Sequence, residues 1–195
     1  MYTPMTLPSV SVTNCLRTAR WLAAALLFGL MTACSGSGAG NWVGDYVTAN
    51  DFEAVRGWSP DAANLTRDHA HSGQFATFIS PEREYGLTFD LPLSEASVHT
   101  LKGIAVEAWV YLPSTQAAAS LDVQVRLPGP DNRLGFAERI LLPDQVKEGA
   151  KWTRIRQEFT FPEGLPGDAH LRIFLWRNSS HEPVYLDDLR VKALE

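Results

Sequence analysis

Apolar and polar residues alternate in short runs along most of the chain, and proline or glycine ends each run. Tyr85, Leu87, Phe89 and Leu91 alternate with Gly86, Thr88 and Asp90. Residues 104–112 stop at Pro113, and residues 121–127 stop at Pro128-Gly129-Pro130. Further runs occupy 136–142, 153–161, 171–176 and 184–191, with Pro143-Asp144 and residues 162–167 between them. A period of two marks strands whose two faces differ, and Pro and Gly punctuate them. No stretch sustains a helical period; residues 144–151 offer at most one turn. Many short strands at regular spacing predict an all-β fold, an antiparallel β-sandwich of the jelly-roll kind.

Within three of these runs the alternation separates two sets of side chains. One set is aliphatic: Val106, Ala108, Val110 and Leu112; Leu121, Val123, Val125 and Leu127; Leu171, Ile173 and Leu175. It is the expected core face. The other set is Glu107, Trp109 and Tyr111; Asp122, Gln124 and Arg126; Arg172, Phe174 and Trp176. Taken as one surface, it combines aromatic rings with acids, an amide and guanidiniums. Sugar rings call for that combination, because their C–H faces stack on aromatic planes and their hydroxyls take hydrogen bonds from Asp, Glu, Gln and Arg. The expected ligand-binding residues are Glu107, Trp109, Tyr111, Gln124, Arg126, Arg172 and Trp176. The alternative is that loops or a neighbouring strand cover these aromatics as a second small core.

One run departs from the pattern. Residues 21–30 (WLAAALLFGL) are continuously apolar and follow Arg17 and Arg20. This is the length of a signal-peptide apolar region; a bilayer span needs about 20 residues. Leu30-Met31-Thr32-Ala33-Cys34 resembles a bacterial lipobox, which implies lipidation of Cys34. The expected organisation is a lipoprotein signal peptide over 1–33, a flexible tether over 34–40 and one β-sandwich over 41–195. Ser35-Gly36-Ser37-Gly38-Ala39-Gly40 suits a tether. The expected location is the cell envelope, lipid-anchored to a membrane outside the cytoplasm. Because Ser35 is not the Asp that retains lipoproteins in the inner membrane of enteric-type bacteria, the outer membrane is favoured.

Charge narrows the partners. The chain has 22 Asp and Glu against 17 Lys and Arg. Arg17 and Arg20 fall in the targeting segment, so the remainder is more acidic still. An acidic domain with no basic cluster makes a poor nucleic-acid binder, since phosphate contacts need a Lys/Arg patch. The two cysteines are Cys15, in the targeting segment, and Cys34. An intrachain disulfide or cysteine zinc site is therefore not expected after processing.

Several elements in order resemble the jelly-roll carbohydrate-binding modules of the galactose-binding-domain-like group, often attached to xylanases and glucanases. They are Asn50-Asp51-Phe52-Glu53 followed by Trp58, His71-Ser72-Gly73 before Phe75-Ala76, and residues 106–111. Trp152 with Ile155 and Phe159, residues 171–173 and residues 184–189 complete the series. The resemblance spans about residues 50–195. It implies a structural calcium tying the first strand to the last, with Glu53 and Asp188 as ligands and backbone oxygens near Asp51, Ser72 and Gly73. Strict alternation puts Asp187 and Asp188 on opposite faces, so only one is expected to serve. His69 and His71 share a strand face, but two histidines without a third ligand signal ordinary polar residues before a turn.

No nucleophile elbow, P-loop or zincin motif is present. Glu107 and Asp122 could sit on adjacent strands as the carboxylate pair a glycosidase needs, but acids beside Arg126 are more simply explained as polar recognition or charge balance. The expected function is therefore carbohydrate binding without catalysis, toward a poly- or oligosaccharide. The alternative is a structural lipoprotein on the same fold that docks an envelope protein, and a small glycan-active enzyme comes third.

Overall fold

The structure is a computed structural model that describes residues 46–55, 63–131 and 133–195. The targeting segment, Cys34, the tether and Trp58 lie outside the described residues. The strands are β1 (Tyr46–Asn50), β2 (Leu65–Thr66), β3 (Ala76–Ile79), β4 (Phe89–Pro92), β5 (Gly103–Leu112), β6 (Ser120–Arg126), β7 (Leu134–Leu141), β8 (Lys151–Thr160), β9 (His170–Trp176) and β10 (Val184–Leu194). Two single helical turns, α1 (Leu93–Ala96) and α2 (Leu142–Gln145), join strands. The second begins over Pro143, which tolerates the start of a helix because no amide hydrogen is needed there.

The strands form two antiparallel sheets. The first runs β2-β3-β10-β5-β8, with β1 also on β10; the second runs β4-β9-β6-β7. The fold is thus an all-β sandwich, as the alternation predicts. Most runs become strands within a residue or two of their expected ends. The run over 85–91 is an exception. It becomes a strand only from Phe89, while Tyr85 makes an isolated bridge to Trp176 and the Gly86 amide donates to the Leu175 carbonyl at 2.9 Å. This segment crosses the end of β9 as a wall.

The core lies between the sheets. From β5 come Val106, Ala108, Val110 and Leu112, and from β6 Leu121, Val123 and Val125. Strand β9 adds Leu171, Ile173 and Leu175, and all ten side chains are 0 or 1 % exposed. At Gly103 a side chain would meet the Phe159 carbonyl oxygen at 2.1 Å, so β5 and β8 approach each other there only because glycine has no Cβ.

The last strand changes phase part-way. Val184 and Leu186 point into the core, and so do Leu189, Val191 and Ala193. Between them the register against β5 jumps from Asp187 opposite Trp109 to Arg190 opposite Glu107, which inserts one residue. Asp188 takes the left-handed conformation, φ 48°, at this bulge. On the other edge of β10, β3 pairs with 184–186 and β1 with 189–192, so the bulge falls where one partner gives way to the other.

Candidate functional site

Strands β5 and β6 share the core but belong to different sheets. Their outward residues therefore point away from each other. The single recognition surface expected from the sequence is two surfaces, on opposite sides of the sandwich. Glu107, Trp109 and Tyr111 lie outside the first sheet, and Gln124, Arg126, Arg172 and Trp176 lie outside the second. Glu107 and Asp122 are not a carboxylate pair, because the core separates them.

The outer face of the first sheet is covered. The His71 ring stacks on Trp109 with centroids 3.9 Å apart and planes 14° apart, and His69 stacks on Tyr111 at 4.3 Å and 19°. Trp152 and Tyr185 pack edge-on against the same imidazoles. Glu107, 3 % exposed, accepts a 2.6 Å hydrogen bond from Arg154 Nη2. The alternation placed these groups on the outside correctly. It carried no sign that the chain before β3 folds back over them.

The bulge of β10 fastens that covering segment. Asp187 Oδ2 accepts from the amides of His71 at 2.8 Å and Ser72 at 3.0 Å, and Oδ1 accepts from the Asp188 amide at 2.7 Å. Asp188 bonds His71 Nδ1 at 2.6 Å and accepts from Ser72 Oγ at 2.9 Å. Both aspartates serve the same segment, contrary to strict alternation, because the inserted residue turns the second carboxylate to the side of the first. Burial pushes Asp187 above the ordinary carboxylate range, while the three amides pull the other way. Glu53 Oε1 accepts from the amides of Gln74 and Phe75, both at 2.7 Å. Gly73, at φ +57°, gives room for it, since a Cβ there would lie 2.4 Å from Glu53 Oε1.

To ligate calcium these groups would have to turn from the donors they now face. Carboxylate and hydroxyl oxygens are the right donor type. Yet those of Glu53 and Asp188 face N–H and O–H donors, and among the described residues no three His, Cys, Asp or Glu side chains converge on a metal position.

The outer face of the second sheet is open. A cleft of about 470 Å³ is bordered by Asp122, Gln124 and Arg126 of β6, Arg139 of β7, Arg172, Phe174 and Trp176 of β9, and the wall around Tyr85. Pairing sets this array, with Asp122 opposite both Phe174 and Arg139, and Gln124 opposite Arg172. Tyr85, 47 % exposed, meets Phe174 edge to face at 5.7 Å. One face of Trp176 carries the Arg139 guanidinium at 5.0 Å, and its indole N–H donates to Glu84 at 3.2 Å. Asp122 is 2 % exposed; Ser120 Oγ donates to it at 2.5 Å and Arg139 Nη2 stands 3.4 Å away. Burial raises its pKa, and these two neighbours lower it. Arg172 Nε stands 3.0 Å from Asp90 Oδ2.

No protein-family model and no curated protein matches the chain. Solved structures do. The CBM22-1 xylan-binding domain of Paenibacillus barcinonensis Xyn10C is 17% identical with TM-score 0.50, over 78% of this chain and 97% of that one. The CBM22-2 xylan-binding domain of the same protein is 12% identical with TM-score 0.51, over 76% and 99%. The fold is that of a carbohydrate-binding-module β-sandwich. At these identities the likeness is one of fold alone.

On this module-like sandwich, four of the seven expected ligand-binding residues line the cleft: Gln124, Arg126, Arg172 and Trp176. Tyr85 and Arg139 also line it and are not among the residues expected from the sequence. Arg139 was recoverable in principle, because it faces Asp122 once β7 is paired with β6. Tyr85 had no such signal, since its run read as a continuous strand.

Proposed function

We propose that the protein binds carbohydrate without catalysis, in the cleft on the outer face of the second sheet. The observation that carries this reading is the cleft itself. Tyr85 and Trp176 offer ring surface, and Gln124, Arg126, Arg172 and Asp122 offer hydrogen-bonding groups around one hollow. Sugar sites combine those two kinds of surface. The structures of similar fold carry xylan-binding in their names, which supports the ligand class. Calorimetry and glycan-array binding with the purified protein test it. Binding to at least one glycan, weakened by Trp176→Ala and Tyr85→Ala, is expected; retention of full affinity by both variants would remove the cleft from the reading.

Lipid anchoring through Cys34 to a membrane outside the cytoplasm, the outer one in preference, is part of the same proposal. It rests on Arg17, Arg20, the apolar run 21–30 and the lipobox-like residues 30–34. Intact mass of the processed protein should show acyl chains on Cys34, and Cys34→Ser should lack them.

A structural calcium near Glu53 and Asp188 is a separate proposal. It is supported by the arrival of Glu53, Asp187 and Asp188 on one segment, 71–75, and it would require Glu53 to release the Gln74 and Phe75 amides. Melting with calcium and with a chelator tests it, a higher Tm with calcium being the expected result.

The alternative, docking of an envelope protein, has one feature in its favour. A second cleft of about 640 Å³, lined by Leu93, Val98, Leu101, Phe161 and Leu165 among others, is more apolar, and Val98 is 87 % exposed. Loss of a co-purifying envelope protein on Val98→Asp, with no glycan bound by the parent, would favour it.

A further inference from the structure

The cleft's charge goes further than its shape. Three guanidiniums, of Arg126, Arg139 and Arg172, border it. Two have acidic neighbours: Arg139 stands 3.4 Å from Asp122 and Arg172 stands 3.0 Å from Asp90. Arg126 has none among the described residues. Its Nη2 makes one long bond of 3.3 Å to Gln124 Oε1, and its Nε–H is buried without a hydrogen-bond partner; the Nε–H of Arg172 also lacks a hydrogen bond but has the Asp90 carboxylate 3.0 Å away, whereas that of Arg126 has no acid beside it. A protein rarely leaves a buried N–H of a charged group unmatched, because water is lost and nothing replaces it.

We propose that the glycan taken by this cleft carries a carboxylate, as a uronate-containing chain does, and that Arg126 receives it. This rests on the carbohydrate-binding reading above and names its ligand class.

Geometry favours a carboxylate over a hydroxyl. A guanidinium presents parallel N–H donors in one plane, and a carboxylate accepts two of them at once while offsetting the charge. A sugar hydroxyl accepts from one donor and leaves the charge uncompensated. Arg126 borders the cleft, so a carboxylate that pairs with the exposed end of its fork does so from within it. Tyr85, in the wall of the same cleft, offers aromatic surface to the chain, and Trp176, which pairs with Ser120 at the other end of β6 from Arg126, meets a different unit of it. Because Arg139 already covers one face of Trp176, the sugar meets that indole from the other face or along its edge.

The test compares matched polymers on the purified protein: polygalacturonate, alginate and glucuronoxylan, each beside the same polymer with its carboxyls reduced to alcohols. Calorimetry at increasing sodium chloride gives affinity. At least one acidic polymer is expected to bind about tenfold or more tightly than its reduced form, the gain from a charge-assisted pair. The advantage should shrink with salt, and Arg126→Gln should bring the acidic polymer down to the level of the reduced one. Arg126→Lys, which keeps the charge and loses the planar fork, should keep part of the preference; it also stands in if Arg126→Gln fails to fold. Equal binding of acidic and reduced forms, or a preference that survives Arg126→Gln, overturns the inference and leaves carbohydrate binding intact. A stronger preference for sulfated than for carboxylated chains overturns it too. Absence of binding to every polymer, acidic or neutral, removes the carbohydrate-binding reading itself.

Discussion

Outside the first sheet, Trp109 and Tyr111 have imidazoles stacked on them at 3.9 and 4.3 Å; outside the second, Trp176 and Tyr85 border a hollow. Both faces hold aromatics, acids and arginines, so composition does not separate them. Partners do. On the first face Glu107 is held by Arg154, and Asp187 and Asp188 bind the backbone and side chains of 71–72. On the second, Arg126 and Arg172 each keep a buried N–H without a hydrogen-bond partner among the described residues, and Tyr85 stays half exposed. A polar-aromatic surface whose groups already satisfy one another is structure. One that leaves donors and rings unmatched is where we propose that the glycan binds.

The strongest way to break this contrast is Asp187→Ala. It leaves three amides without their acceptor in a buried place and should cost about 3 kcal/mol or more in chemical unfolding. Glycan binding in the folded protein should not change. A shift below about 1 kcal/mol would mean that the clasp does not hold the cover down.

Next comes Trp176→Ala on the open face. Its expected mark is on affinity, a loss of about 30-fold or roughly 2 kcal/mol by calorimetry, with a smaller change in stability than Asp187→Ala produces. His71→Ala should do the reverse, lowering stability by about 1–2 kcal/mol through loss of the Asp188 bond and the Trp109 stack. It should also make the tryptophan fluorescence easier to quench with acrylamide while glycan affinity stays constant. Equal loss of glycan affinity in His71→Ala and Trp176→Ala would erase the functional difference between the faces.

The smallest effect belongs to Asp122→Asn. Burial raises the pKa of Asp122 in the folded protein, so the folded form takes up its proton before the unfolded chain does as pH falls. The parent therefore gains stability from this group on acidification, a gain complete below the unfolded pKa and lost as pH rises through the folded one. The variant should be more stable than the parent by up to about 1 kcal/mol near neutral pH. The difference should shrink as pH falls through the raised pKa. A difference independent of pH would show that Asp122 is not charged at neutral pH or not penalised by burial.

The sequence made the core and most strand bounds legible because alternation reports which side of a strand is buried. Alternation assigns Val106, Val123 and Ile173 to the interior, and they are there. Alternation does not report which sheet a strand joins, so by alternation alone Glu107, Trp109 and Tyr111 fall in one group with Arg126 and Trp176. Inside is shared between two sheets; outside is not. Coverage was invisible for a related reason. His69 and His71 read as residues before a turn, and only the placement of Asp187 and Asp188 brings that turn onto Trp109. The phase change in β10 was visible as apolar residues at 184 and 186, then at 189, 191 and 193. Read as a bulge, it places both aspartates on one side.

That inserted residue has a consequence for assembly. Strands with unbroken alternation can slide along a neighbour by two residues and still bury the right side chains. β10 cannot, because its two halves are out of step and fit β5 only where the notch at Asp188 falls between Trp109 and Glu107. The strand is keyed like a bolt with a single groove. It sets the alignment of β1, β3 and β5 together, and with it where the covering loop lands.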